Sequence, residues 1–202
     1  MAPRTPPDST RRRERSRVAI LTATRELITE VGYARLTIEA IAARAGVGKQ
    51  TIYRWWSSKG AVVFDSLLAL SESPDGGGIA LPDTGDVEAD LKAVMRATAA
   101  EFSDPAFEAP IRALNTEIIN DPDLAAAYRE KMDKPMRAAK AERLRSAQRA
   151  GQLAADADVD LIIDVLYAPF TQRWLLRSGP LDDEFVDALV DTVLRAFRPD
   201  RG

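Results

Sequence analysis

Apolar residues recur along this chain at the three- and four-residue spacing that places them on one face of a helix. No segment alternates with the two-residue period of a strand, so the pattern predicts an all-α protein of about nine helices. Ile20, Leu21, Ala23, Thr24, Leu27, Ile28 and Val31 stripe a first helix over about 10–31, which Gly32 ends. Ile38, Ile41, Ala42 and Ala45 stripe a short second helix, with Thr37 at its N-cap and Glu39 in its first turn. Gly46 stops it, because glycine accepts the left-handed backbone that closes a helix. A third short helix over 48–55 depends on Val47, Ile52 and Trp56 packing against the second, being too short to stand alone. Ser57 or Ser58 caps a fourth helix reaching about 71. A loop rich in Gly, Pro and Asp follows over 71–86. Beyond it, helices are expected at about 87–102, 105–119, 122–150, 159–178 and 183–197. Asp86, Asp104-Pro105 and Asp121-Pro122 mark helix starts, and Pro135 should kink or split the long helix.

Two short helices joined by a glycine turn have the geometry of a helix-turn-helix, whose second helix enters the major groove of DNA. Here that helix would present Gly48, Lys49, Gln50, Thr51, Tyr53, Arg54 and Trp55. Lys49 suits guanine, Gln50 adenine, and Thr51 a thymine methyl or a phosphate. Tyr53, Trp55 and Lys59, with Arg44 and Thr37, are candidates for holding the DNA backbone, which fixes register without reading sequence. Charge supports the reading. Residues 1–60 carry 12 Lys and Arg against 5 Asp and Glu, and residues 61–202 carry 16 against 26. A basic head on an acidic body fits a DNA-binding module joined to a domain of another kind. Arg11, Arg12, Arg13, Arg15 and Arg17 add a basic arm suited to phosphates or a minor groove.

The stretch 37–59 resembles the DNA-binding signature of the TetR (tetracycline-repressor-like) family of bacterial transcription regulators. Thr37, Ala42, Ala43, Gly46, Val47, Thr51, Ile52, Tyr53, Trp56 and Lys59 match at fixed spacing. Trp56 replaces the usual phenylalanine, Gly48 a common serine and Gly60 a common acid. Gly60 lowers helix propensity and is expected to loosen the start of the fourth helix. The resemblance implies a three-helix DNA-binding domain over 10–58, after a disordered tail at 1–9, and a helical regulatory and dimerisation domain over 59–202.

Composition narrows the alternatives. Cysteine and histidine are both absent, which removes disulfides, thiol chemistry, His-based triads and the commonest metal ligands. No cofactor, metal or catalytic residue is expected, and the chain should not be an enzyme. No apolar run is long enough to span a bilayer, and the first residues lack a secretory apolar segment, so a cytoplasmic location without membrane partners is expected. A small enzyme or binding protein with an incidental helix-turn-helix would need a phosphate loop or nucleophile that is missing. A ligand-free architectural DNA binder would not need so large an acidic body.

In the body, the last two helices carry apolar stripes too wide for one neighbour. Such a pair, by the same resemblance, forms a four-helix homodimer interface, for which Leu166, Phe170, Phe185, Leu189, Val193 and Phe197 are the candidates. The resemblance further implies a pocket for an unknown small-molecule effector. Phe64, Leu68, Phe102, Phe107, Ile111, Leu114, Ile118, Met132, Met136, Tyr167, Gln172 and Trp174 are its candidate lining. A repressor of this kind would hold a palindromic operator in double-stranded DNA, and effector binding would favour a spacing of the recognition helices that releases it.

Overall fold

The structure is a computed structural model and describes residues 8–71 and 80–199. Residues 1–7 of the expected tail and 72–79 of the expected loop lie outside the described residues. The elements are α1 (Asp8–Val31), a 3-10 turn (Tyr33–Arg35), α2 (Ile38–Ala45), α3 (Lys49–Tyr53), α4 (Lys59–Ser71), α5 (Val87–Ser103), α6 (Pro105–Asn120), α7 (Pro122–Tyr128), a π turn (Arg129–Asp133), α8 (Lys134–Arg149), α9 (Val159–Leu176) and α10 (Asp183–Ala196). No strand occurs among the described residues. No non-helical residue separates α7, the π turn and α8, so counting them as one interrupted helix gives nine among the described residues. The interruption falls beside Pro135, which sits in the first turn of α8, where a missing N–H costs little.

Helix starts follow aspartates and the threonine that sequence singles out. Thr37 accepts from the Ala40 N–H at 3.1 Å, Asp86 from Ala89 at 3.1 Å, and Asp121 from Asp123 and Leu124. Asp158, which the sequence reading does not mark, accepts likewise from Asp160 and Leu161. The first helix begins earlier than expected, at Asp8.

The chain forms two compact units. The first contains α1–α4 with α6 and α7. Its core is built on Ile20, Leu27, Ile28, Leu36, Ile41, Ile52, Trp56, Val62 and Val63, with Ala113 of α6 joining them. The helices α4 and α6 pack on α1 and on each other. The expected domain boundary at residue 58 therefore does not mark an edge of this unit. Gly60 is also placed differently from expectation. A Cβ there would stand 3.0 Å from Leu124 and 3.2–3.3 Å from Glu117, so glycine lets α4 pack tightly against α6 and α7.

The second unit contains α5, the π turn, α8, α9 and α10 around Met95, Leu144, Ile162, Leu166, Phe170, Val186 and Val190. A polar knot ties its edge. The buried Asp90 carboxylate accepts from Arg143 Nη2 at 2.6 Å, Arg143 Nε at 3.0 Å, and the Thr84 N–H and hydroxyl at 3.0 and 2.8 Å. Arg143 Nε also donates to the Pro82 carbonyl. Burial alone would raise the Asp90 pKa, but the Thr84 and Arg143 hydrogen bonds outweigh it and hold the carboxyl below its ordinary value.

Candidate nucleic-acid interface

The turn between α2 and α3 is set by Gly46, at φ 66° and ψ 33°. The Gly46 N–H donates to Ala43 O and the Val47 N–H to Ala42 O, closing α2 in a Schellman motif. This reverses the chain within two residues and launches α3 from Gly48. Ile52 is fully buried, and Trp56 is buried with its Nε1 donating to Asp65 of α4 at 2.8 Å. These two anchors turn the other face of α3 outward. Gly48, Lys49, Gln50 and Arg54 are exposed, Tyr53 is 49% and Trp55 39% accessible, and Thr51 is half-buried. Exposed aromatics beside amide and cationic side chains supply both base-edge and phosphate contacts. Lys49 lies 3.5 Å from Glu39, with both side chains more than half exposed, and such a pair exchanges readily for a phosphate.

Two candidates are engaged inside the protein. Arg44 grips Glu30 through Nη1 and Nη2 at 2.8 and 2.7 Å and reaches Glu26 at 3.3 Å. Hydrogen bonds to Glu30 and then Glu26 raise the Arg44 pKa, and Arg44 in turn lowers that of Glu30. Arg44 thus staples α2 to α1. Lys59 Nζ donates to the carbonyls of Tyr33 and Leu36 at 3.1 and 3.2 Å and lies 3.8 Å from the Tyr33 ring centroid. Its ammonium supports the segment leading into the Thr37 cap. Thr37 itself is exposed at the start of α2, beside the α3 face.

Residues 20–65 match the family model for bacterial regulatory proteins of the tetR family, and residues 81–193 match the tetracyclin repressor-like C-terminal domain. The chain belongs to the TetR family. It is 34% identical over 188 residues to the uncharacterized HTH-type transcriptional regulator YdeS of Bacillus subtilis, covering 93% of this chain and 90% of that one. It is 33% identical over 186 residues to the DNA-binding transcriptional repressor TetR of Mycobacteroides abscessus, covering 91% and 94%. Among solved structures it superposes on the TetR family transcription regulator SCO0332 with a TM-score of 0.68 and 39% identity, covering 91% of this chain and 99% of the other. The TetR-family chain is thus a helix-turn-helix transcriptional regulator, from a family of regulators rather than enzymes. No helix among the described residues is long and apolar enough to cross a membrane.

The body of this TetR-family chain distributes its candidates unevenly. Phe64, Leu68, Phe107, Ile111, Leu114 and Ile118 belong to the first unit, and Phe102, Met132, Met136, Tyr167, Gln172 and Trp174 to the second. Phe64 and Leu114 are core residues, with the Phe64 ring 6.1 Å from Tyr128. Phe102 stacks on Phe170 and Trp174 at 5.6 and 4.8 Å. Gln172 is on the exposed side of α9. A shallow groove of about 730 Å³ runs between α1 and α2, and another of about 440 Å³ lies beside Ala154–Ala157 and Phe197; none of the twelve candidates lines either.

The dimer candidates differ in burial within their own chain. Leu166, Phe170 and Val193 are at most 2% accessible, filling the core of their own chain, while Phe185, Leu189 and Phe197 are half-buried. The outward apolar row of α9 is instead Leu161, Val165, Ala168, Pro169, Leu175 and Leu176. Both rows have helical spacing, so the apolar pattern alone did not say which faced inward. Two further contacts have no sequence signal that marks them: the Asp90–Arg143 knot, whose partners are 53 residues apart, and the approach of Lys140 to Tyr167, of which only Tyr167 is a sequence candidate.

Proposed function

We propose that this regulator is a homodimeric, cytoplasmic repressor that holds a near-palindromic operator through paired α3 helices and is released by a small-molecule effector. The carrying observation is the row Lys49, Gln50, Tyr53, Arg54 and Trp55, turned outward by the buried Ile52 and Trp56. Lys49, Gln50 and Thr51 read bases. Tyr53, Arg54 and Trp55 hold the backbone, with the α2 N-terminus at Thr37 facing a phosphate. Arg44 and Lys59 position these groups from behind. The outward row of α9, with half-buried Phe185 and Leu189 of α10, supports the dimer. A dimer sets the spacing of two short recognition helices to one helical turn, roughly 34 Å.

Selection from random duplex DNA with the purified protein tests this. The enriched sequence is expected to be an inverted repeat. Arg54→Ala should weaken binding evenly across sequences and reduce the salt slope by about 1. Gln50→Ala should relax preference at one base position, by about 1–3 kcal/mol. If no sequence is enriched at low salt, the DNA-binding geometry proposed here is wrong.

A further inference from the structure

We propose that Lys140 and Tyr167 together form the recognition point for an organic monocarboxylate with an apolar body, a proposal that rests on the reading that the body takes a small-molecule effector. Lys140 stands on α8 and Tyr167 on α9, and the Lys140 ammonium lies 3.3 Å from the centre of the Tyr167 ring. Among the described residues Lys140 makes no ion pair and no hydrogen bond, unlike Lys92, which pairs with Glu88 and Asp191. The acids of α9 nearest to α8 are already engaged. Asp160 and Asp164 are both held by Arg137, at 2.8 Å each. The Tyr167 hydroxyl is buried and has no partner.

The ammonium on the ring face and the hydroxyl of the same ring thus make no hydrogen bond among the described residues, the nearest named carboxylate, Asp133, acting on Lys140 only through its charge. A buried hydroxyl left unpaired is costly, and a half-buried ammonium with no ion-pair partner adds to the cost. Stacking on the aromatic face offsets part of the second cost and does nothing for the hydroxyl. A single acceptor between ammonium and hydroxyl satisfies both. The surroundings choose its type. Met136 lies one turn before Lys140, and Ile163 and Phe170 flank Tyr167 on α9, the last two buried in the core. One cation and one hydroxyl in apolar company suit a monoanionic carboxylate, whereas a phosphate dianion gathers arginines and several donors. Burial lowers the Lys140 pKa to about 8 against the opposing pull of Asp133, and raises that of Tyr167 to about 12. Both shifts come chiefly from burial.

Calorimetric titration of the full chain with octanoate and 1-naphthoate, and with their amides octanamide and 1-naphthamide, tests the proposal. The acids are expected to bind and the amides to bind at least about ten-fold more weakly. Lys140→Met should cost the acids about ten-fold or more in affinity and leave the amides unchanged. Tyr167→Phe should cost them a smaller factor, and both variants should keep the wild-type helical circular dichroism. Absence of binding by both acids, or equal acid affinity in wild type and Lys140→Met, overturns the proposal. Amides that bind as tightly as acids overturn it too, while leaving a small-molecule effector in place. Acids that bind through Lys140 without loosening the operator support the anion site and remove the effector reading.

Discussion

Lys59 shows how a residue picked out by a motif can also hold partners that the motif does not reveal. Its place in the motif suggests phosphate, but its ammonium donates to Tyr33 and Leu36 carbonyls. Backbone acceptors carry no side-chain signature, so no reading of residue types could find them. Lys59→Ala is expected to destabilise the chain by about 1.5–3 kcal/mol in urea unfolding, the worth of hydrogen bonds to a charged group. Its effect on the salt slope of DNA binding should be smaller than that of Arg54→Ala. Gly60 carries a similar lesson, since low helix propensity is visible in sequence and the 3.0 Å approach of Leu124 is not. Lys140 gives a pH signature. Its pKa falls from 10.5 to about 8 in the folded chain, so between those values the unfolded chain binds more protons. Stability therefore rises with pH across that window, and the cost of the buried charge is fully present below about 8. Unfolding at pH 7 and pH 10 should show a rise on the order of 2–3 kcal/mol in wild type relative to Lys140→Met. At pH 7 the variant should be the more stable of the two.

At the scale of elements, helix positions were largely legible and helix faces were not. Thr37, Asp86, Asp158 and Asp182 each cap through a side-chain oxygen, a local interaction written in adjacent residues. The inward face of α9 is a tertiary fact. Its two apolar rows are equivalent in sequence until α5, α8 and α10 cover one of them, the row that holds Leu166 and Phe170. The knot joining α5, α8 and the segment at Pro82–Thr84 is tertiary in the same sense. Asp90→Ala leaves the Arg143 guanidinium buried beside a lost partner and is expected to cost about 3–5 kcal/mol. Asp90→Asn, which keeps the Thr84 hydrogen bonds, should cost less. Urea melts monitored by circular dichroism will rank the two.

For the whole molecule, the proposed dimer rests on the outward row of α9. Leu161 is 49% and Val165 38% accessible, and both are apolar residues on the face of α9 turned away from the core. Val165→Glu should yield a folded monomer by size-exclusion chromatography with light scattering. It should also lose operator affinity although α9 carries none of the DNA-contact candidates, because one half-site is gripped at a time. A variant that stays dimeric would move the interface off this row.

The division into units has a consequence for how the regulator comes into being. The helices that complete the DNA-binding unit, α6 and α7, are encoded after α5, which belongs to the other unit. On the ribosome, the α1 surface that α6 covers remains bare until residue 120 has emerged. A fragment cut at residue 58, or a chimera grafting these first helices onto another body, inherits that bare surface permanently. Exchange of heads among relatives should succeed only where the second segment, 105–128, travels with the first.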